Sequence, residues 1–269
     1  MSEAVVKKSD LGVRTMSAIV MIAVAAFVFW QGGLILRLFM IAAAFWLMAE
    51  WWDLITKLVS GTVGRAVWMI AGFIYIGNAA YLLPMLAEEY AYGSASGFGF
   101  LGTMAAMVIF GVVATDIGAY FAGRTFGGPK IAPRISPSKT WSGLIGGALA
   151  ASCMVAFLDY IHIAERERVF GGEWDVDWLG SLSIGAIIAV VAQTGDFFES
   201  WMKRKAGVKD SGNAIPGHGG LLDRVDGHLA VLFFLGGAIM LGFFANYPAT
   251  TAISSPHQMR SLGGRRSIL

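Results

Sequence analysis

Apolar runs long enough to cross a lipid bilayer recur along this chain, and they limit what it can fold into. A helix needs about 20 apolar residues to span the hydrocarbon core. The chain has 269 residues, of which 56% are hydrophobic and only 14% are charged, and its mean hydropathy is +0.64. The long apolar runs lie at 15–30, 34–50, 66–86, 98–122, 142–163, 177–198 and 228–246. This pattern predicts an all-α fold, a polytopic integral membrane helical bundle of about seven to nine transmembrane helices.

Charged residues between these runs predict how the helices are oriented. Lysine and arginine prefer the cytoplasmic side of a membrane. With a cytoplasmic N-terminus, every second connection is basic, and the others are acidic or mixed. The basic connections hold Lys57 and Arg65, then Arg124, Lys130, Arg134 and Lys139, then Lys203, Arg204, Lys205 and Lys209. Both glycine-rich basic segments are therefore expected to face the cytoplasm.

Two details of the topology stay open. An odd number of spans places Arg260, Arg265 and Arg266 outside, against the same charge rule. Either the long run 98–122 contains a further span, or the tail tolerates the outer side. The first two runs are short, and the Gln31-Gly32-Gly33 sequence between them is compatible with one tight hairpin.

The most polar segment among the apolar runs is 200–227, SWMKRKAGVKDSGNAIPGHGGLLDRVDG. Its backbone and charges could not be accommodated in hydrocarbon, so it lies at the membrane surface or lines a wet cavity. Asp223 and Asp226 are three residues apart and share one face of a helix. Mg²⁺ takes one or two protein carboxylates and completes its shell with water and phosphate oxygens. Together with Asp196 at the end of the preceding run, these residues are predicted to bind Mg²⁺.

The same segment has the residue types that bind phosphate. Residues 216–220, Pro-Gly-His-Gly-Gly, can direct backbone N–H groups at an anion, because glycine accepts positive φ. Basic side chains that could neutralise phosphate are Lys203, Arg204, Lys205, Lys209 and Arg224. A basic cytoplasmic loop is the alternative interpretation. It accounts for the lysines, but it does not account for the three aspartates or for the His-Gly-Gly sequence.

A second informative segment is 116–143, DIGAYFAGRTFGGPKIAPRISPSKTWSG. Asp116 is expected to end an apolar helix at the same membrane face as Asp196. Arg124, Lys130, Arg134 and Lys139 alternate with glycine and proline, which predicts a structured loop rather than a helix. Ser136, Ser138 and Thr140 offer hydroxyl groups near Lys139.

Together these residues resemble the phosphatidate cytidylyltransferases, also called CDP-diacylglycerol synthases. The later segment is similar to the family signature of Ser, Lys-Arg, Lys-Asp, His-Gly-Gly and Asp-Arg-x-Asp. The earlier one is similar to D-x-G-A-Y followed by P-R-I-S-P-x-K-T-W-x-G. Ser142 departs from the pattern, since the family commonly has Glu there, and no role for that carboxylate is carried over. The matched regions, 116–143 and 194–230, cover about a quarter of the chain.

The resemblance implies transfer of the cytidylyl group of CTP to phosphatidic acid, giving CDP-diacylglycerol and pyrophosphate, in phospholipid biosynthesis. The lipid phosphate would attack the α-phosphorus of CTP directly, assisted by Mg²⁺, with a second metal ion left open. It also implies a homodimer in a bacterial-type inner (cytoplasmic) membrane. The residues alone point to phosphoryl-type transfer at a membrane surface, with positioning and charge neutralisation in place of a protein nucleophile.

The whole chain, 1–269, is predicted to be one integral membrane domain, with N-terminal spans at about 15–122 and a catalytic C-terminal half at about 116–246. The predicted catalytic residues are Asp196, Lys209, Asp210, His218, Asp223, Arg224 and Asp226. The predicted substrate-binding residues are Asp116, Arg134, Ser136, Lys139, Thr140, Ser200, Lys203, Arg204, Gly219 and Gly220.

Other protein classes fit the sequence less well. A CDP-alcohol phosphotransferase needs a D-G-x₂-A-R…G…D…D pattern, which the sequence lacks. A transporter would place its charges near the bilayer midplane within broken helices, often with internal symmetry, whereas these charges cluster at one face. No extended basic, aromatic surface predicts nucleic-acid binding. Arg37 and Glu50 are interpreted as salt-bridged or snorkelling residues, and Trp46, Trp51 and Trp52 as interfacial anchors.

Overall fold

A computed structural model describes residues 3–88, 104–173, 175–212, 215 and 219–242. The chain divides into two compact units, Met1–Phe234 and Leu235–Leu269. The described part of the second unit is short and consists of the end of the last helix and the turn at residues 241–242.

Seven helices and one β-hairpin make up the described residues. The helices are α1 (Glu3–Gln31), α2 (Gly33–Leu58), α3 (Thr62–Glu88), α4 (Met104–Phe126), α5 (Trp141–Phe170), α6 (Trp178–Ala206) and α7 (Leu222–Met240). The strands are β1 (Lys130–Ala132) and β2 (Ser136–Thr140), paired antiparallel.

Six of these helices, α1 to α6, contain segments long and apolar enough to cross a membrane. The predicted helical membrane bundle is therefore confirmed, and the expected number of seven to nine spans was approximate. The last predicted span, 228–246, begins within α7 and ends outside the described residues. Many large apolar side chains on the six helices are exposed, as expected for surfaces that face lipid.

A tight turn joins the first two helices. Gly32 is the one residue between α1 and α2, and it has φ +58 and ψ −156. This backbone conformation favours glycine over residues with a side chain. The hairpin around Gln31-Gly32-Gly33 is therefore present, although each of its helices is longer than the apolar run that predicted it.

Small residues allow α4 and α5 to pack closely. A Cβ atom added to Gly146 would lie 2.2 Å from the Cβ of Ala122, and one added to Gly147 would lie 2.8 Å from the carbonyl oxygen of Thr115. On the facing helix, a Cβ added to Gly118 would lie 2.5 Å from the carbonyl oxygen of Gly146. Close backbone approach through small residues is typical of membrane helix pairs, and this interface holds the two ends of the 116–143 segment together.

The segment 116–143 is more regular than its sequence indicates. Arg124 lies in the last turn of α4, so the prediction of a loop was wrong at that position. Lys130 and Lys139 lie on the two strands of the hairpin, which the all-α prediction did not include. The Thr140 hydroxyl then accepts a hydrogen bond from the Gly143 N–H and caps α5.

Asp116 and Asp196 do not end their helices. Each lies ten residues before the last helical residue, Phe126 and Ala206 respectively. At 1.5 Å per residue this is about 15 Å from the helix end. No proline follows either aspartate within its helix, so the helix continues past the aspartate in both. In α6 the three basic residues 203–205 complement the helix dipole, and Gly207 ends the helix with φ +70.

Candidate active site

Glycine residues place α7 directly against α6. A Cβ atom on Gly195 would lie 2.5 Å from the Cβ of Ala230 and 2.7 Å from the carbonyl oxygen of Asp226. A Cβ on Gly227 would be 3.4 Å from that of Ala192. Asp196 follows Gly195, and Asp226 precedes Gly227. The close approach of the helices therefore brings the two aspartates to neighbouring positions.

Asp116, Asp196 and Asp226 form what we call the open acidic cluster. Burial raises the pKa of Asp226 to about 7, and the Asp196 carboxylate and, more weakly, that of Asp116 add to the effect. Asp116 is itself exposed, and Asp196 is half-buried. The carboxylates therefore repel one another in a partly buried place, which is the electrostatic setting of a site that receives positive charge.

A lysine from the hairpin reaches this cluster. The Nζ of Lys139 lies 2.5 Å from Oδ2 of Asp196, and the Ser200 hydroxyl donates a hydrogen bond to Oδ1 of the same residue at 3.3 Å. Near the end of α6, the Nε of Arg204 donates to the carbonyl oxygen of Ile135 at 3.4 Å. The two segments that the sequence singles out, 116–143 and 194–230, therefore meet at Asp196.

Glu199, Lys203 and Asp223 form a second group, the closed acidic cluster. The Lys203 Nζ lies 2.8 Å from Oε2 of Glu199 and 2.6 Å from Oδ1 of Asp223. Oδ2 of Asp223 accepts hydrogen bonds from the Ser211 N–H at 2.9 Å, the Ser211 hydroxyl at 3.0 Å and the Gly220 N–H at 2.8 Å. Burial raises the pKa of Asp223, but the hydrogen bond from Lys203, with those from Gly220 and Ser211, outweighs burial and leaves the pKa below its ordinary value. Both oxygens of Asp223 thus have donors from the protein.

The contacts of Asp223 bear on the predicted metal site. Across the described residues, no three or more His, Cys, Asp or Glu side chains are arranged to hold one ion. Asp223 is directed at the loop before α7, away from a set shared with Asp196 and Asp226. The open acidic cluster still has the donor chemistry that Mg²⁺ requires, because one or two carboxylates suffice when water and phosphate complete the shell. The assignment of Asp196, Asp223 and Asp226 as ligands stays a prediction.

Glu50 also contributes to this region, although the sequence was interpreted as giving it a salt-bridged or snorkelling role. It lies on α2 and is buried, with 6% of its surface exposed. Its two carboxylate oxygens accept hydrogen bonds from the N–H groups of Leu221 and Leu222, each at 2.8 Å. The sequence signal was an acidic residue within an apolar run, which is functional by default in a membrane protein.

The remaining predicted residues differ in their exposure. Arg134, Lys209, Asp210 and Arg224 are exposed, and Gly219 has φ +83 and pairs with Ile215. Ser136 and Thr140 are buried. His218 lies outside the described residues. The Gly220 N–H group belongs to the predicted anion nest. In this structure it donates its hydrogen bond to the Asp223 carboxylate.

Ser142 takes part in a local hydrogen-bond network. Its hydroxyl lies 3.1 Å from that of Thr140 and donates to the carbonyl oxygen of Gly127. These contacts tie the start of α5 to the turn before the hairpin. Ser142 therefore serves as a connection within the segment.

Aromatic side chains from α2, α3 and α6 pack against one another. Trp51 is 2% exposed and donates from Nε1 to the carbonyl oxygen of Trp68 at 2.9 Å. Its ring contacts Tyr75 and Phe198, with centroid distances of 6.1 and 6.3 Å. The interpretation of Trp51 as an interfacial anchor was wrong, because an apolar run alone does not distinguish a lipid-facing ring from a packed one.

Comparison with known proteins identifies relatives of this chain. Residues 81–242 match the sequence profile of the Cytidylyltransferase family. A phosphatidate cytidylyltransferase of Brucella suis is 37% identical over 275 residues, covering 86% of this chain and 94% of that protein. That of Rickettsia bellii is 34% identical, covering 86% and 93%. That of Haemophilus influenzae is 44% identical over a shorter stretch of 123 residues, 46% of this chain and 41% of that protein.

The membrane-spanning helices and the charged site between them define an integral membrane enzyme. The chain belongs to the cytidylyltransferase family, within which the relatives above are phosphatidate cytidylyltransferases. The resemblance seen in the two sequence segments is thereby confirmed, and it extends over most of the chain.

Proposed function

We propose that this enzyme transfers the cytidylyl group of CTP to phosphatidate at the cytoplasmic face of a bacterial inner membrane, releasing pyrophosphate. The observation that carries the proposal is the contact between Lys139 and Asp196, which joins the two family segments beside Asp226. One basic hairpin and two membrane helices thus contribute to a single charged site.

The basic residues around the open acidic cluster are suited to a triphosphate. Lys139 reaches the cluster from the hairpin, and the charge of Arg224 acts on Asp116 from the first turn of α7. CTP carries about four negative charges, so bases from more than one segment are needed to hold it. Lys203 has protein partners on both sides, and its part is to hold Asp223 in place.

The Asp116 side of the cluster borders a surface suited to lipid. Asp116 is exposed, and its neighbours on α4, Ile117, Tyr120 and Phe121, expose 53%, 57% and 63% of their surfaces. A phosphate on a diacylglycerol could approach the carboxylates along this surface while its acyl chains stay in the bilayer. The lipid phosphate is itself the nucleophile in the proposed reaction, so a protein nucleophile is not required.

Asp196 and Asp226, with Asp116 nearby, are the residues that would hold Mg²⁺, whose chemistry is to withdraw charge from the phosphates. The residues of the chain orient the reactants. Lys139 and Arg224 hold the phosphates of CTP, and the hairpin fixes Lys139 relative to α6. A second ion, if one binds, would share these carboxylates.

Purified enzyme in phosphatidate-containing vesicles, given radiolabelled CTP, tests the reaction. We expect label in the lipid extract, dependent on phosphatidate and abolished by EDTA. Consumption of added CDP-diacylglycerol with an alcohol acceptor would instead indicate a phosphotransferase. Retention of all label as CTP would contradict the proposed reaction.

The orientation is tested by labelling from each side of sealed vesicles. Cys153 is exposed and must first be replaced by serine. Lys130→Cys and Lys209→Cys place a thiol at an exposed position in each basic segment. Both are expected to react from the cytoplasmic side, and reaction from the opposite side would overturn the orientation. The homodimer that the resemblance implies is tested by measuring the mass of the detergent-solubilised enzyme.

A further inference from the structure

Glu50 lies outside the family segments, yet its carboxylate contacts the loop between α6 and α7. Oε1 accepts from the Leu221 N–H at 2.8 Å and from Nε1 of Trp46 at 3.2 Å. Oε2 accepts from the Leu222 N–H at 2.8 Å and lies 3.3 Å from the Ser211 hydroxyl, whose single proton it shares with Asp223. Residue 50 precedes the part of the chain that matches the family profile, 81–242.

Two glycines between α6 and α7 lie close to this carboxylate. A Cβ atom on Gly212 would lie 3.0 Å from Oε1 of Glu50. A Cβ on Gly220 would lie 2.6 Å from Oε2 of Glu50 and 2.1 Å from the Ser211 hydroxyl. At Gly220 a side chain would clash with the carboxylate and with Ser211, and at Gly212 the fit is tight, so both residues pack closely around Glu50.

A carboxylate has the chemistry that this position requires. The N–H groups of Leu221 and Leu222 are adjacent donors at the start of α7, where the helix dipole favours negative charge. A glutamine has one acceptor oxygen, and its NH₂ group would face a second N–H donor. Ser211 links Glu50 to Asp223, because its hydroxyl lies within hydrogen-bond distance of both carboxylates.

We propose that Glu50 is a positioning residue, which holds Ser211 together with Leu221 and Leu222 at the start of α7 and thereby aims the first turns of α7 at the substrates. Asp223, Arg224 and Asp226 all follow directly after the two N–H groups that it binds. The second helix is thus a part of the active site. This inference rests on the proposed function for its kinetic consequence, but the contact itself can be tested without any reaction.

Hydrogen exchange measured by mass spectrometry tests the contact in the full-length enzyme in detergent. Glu50→Gln is expected to speed exchange at the amides of Leu221 and Leu222 at least tenfold, with α3 to α5 unchanged. Asp53→Asn is the matched control, because Asp53 is exposed on the same helix. Unchanged exchange at residues 221–222, or faster exchange throughout the protein, would overturn the proposal.

Kinetics test the consequence for the reaction. Glu50→Gln is expected to lower kcat/KM for CTP at least tenfold, which corresponds to about 1.4 kcal/mol of transition-state stabilisation. The KM for phosphatidate is expected to stay within twofold. Formate, which can occupy the space of the lost carboxylate, is expected to restore activity to Glu50→Ala, whereas chloride is not. Wild-type kcat/KM in Glu50→Gln would overturn the positioning role.

Ser211→Ala keeps the test decisive if Glu50→Ala fails to fold. It removes the hydroxyl that links Glu50 to Asp223, so exchange at residues 221–222 is expected to rise less than in Glu50→Gln. An equal or larger rise would count against Glu50 as the anchor. If the wild-type enzyme does not convert CTP and phosphatidate, the proposed function fails, and the exchange measurements still decide whether Glu50 holds the loop.

Discussion

Asp223 and Asp226 lie three residues apart on one helix, but the groups that surround them differ. Asp223 belongs to the closed acidic cluster, where Lys203, Ser211 and Gly220 supply donors to both of its oxygens. Asp226 belongs to the open acidic cluster, where its neighbours include two further carboxylates. The pKa of Asp223 is lowered, whereas that of Asp226 is raised to about 7.

This difference separates a carboxylate that builds the site from one that is available to a ligand. A carboxylate with its hydrogen bonds and ion pair complete stabilises the fold and has little capacity left for a cation. A carboxylate held close to others of the same charge is destabilising until something positive binds. We therefore expect substitutions at the two positions to separate stability from turnover.

The largest effect is expected from Asp226→Asn. Turnover should fall at least about 1000-fold, corresponding to ~4 kcal/mol, because the substrate site loses one of its available carboxylates. The melting temperature in detergent should stay the same or rise, since a repulsive charge is removed. Radiolabelled CTP conversion and thermal unfolding measure the two quantities. A variant with wild-type turnover would place the chemistry elsewhere.

Asp223→Asn is expected to act on stability. The asparagine NH₂ group would face the Lys203 ammonium and leave Lys203 with an incomplete ion pair, at a cost of about 3 kcal/mol. Unfolding by denaturant in detergent micelles measures this, with Asp53→Asn as the control on an exposed surface. Lost turnover with unchanged stability would show instead that Asp223 acts directly on the substrates, as the metal assignment from sequence predicted.

Lys139→Ala should have a smaller effect. The lysine contacts Asp196 in the open cluster, and we expect kcat/KM for CTP to fall about tenfold, or ~1.4 kcal/mol. Lys130→Ala is the matched control, because Lys130 lies exposed on the other strand of the same hairpin. If the two variants have equal kinetics, the hairpin serves only as a basic membrane anchor.

The smallest effect is a pH dependence of stability, measured with EDTA present. The folded-state pKa of Asp226 lies above its unfolded value, so stability falls as the pH rises between the two values, and the full penalty is present above about 7. Asp226→Asn lacks this penalty. Its melting temperature relative to wild type should therefore be higher at pH 8 than at pH 5. A difference that does not change with pH would contradict the repulsion inferred for the open cluster.

The sequence by itself determined the membrane class, the helical fold and the two segments that form the site. Long apolar runs require helices in lipid, and the family motifs identify segments that lie close together through the contact of Lys139 with Asp196. These properties depend on residues near one another in the chain, which is why local patterns are sufficient to predict them.

The tertiary structure alone decided which aspartate is saturated and which is available. Asp223 and Asp226 share one face of a helix, and no local pattern distinguishes them. Their difference comes from Lys203, which the packing of α6 against α7 brings to Asp223, and from Ser211 in the loop between them. It also comes from Glu50, which binds residues 171 and 172 positions further along the chain. Whether a buried carboxylate has its donors depends on such distant contacts, because hydrogen bonds form only where the packed chain places donor and acceptor within about 3 Å.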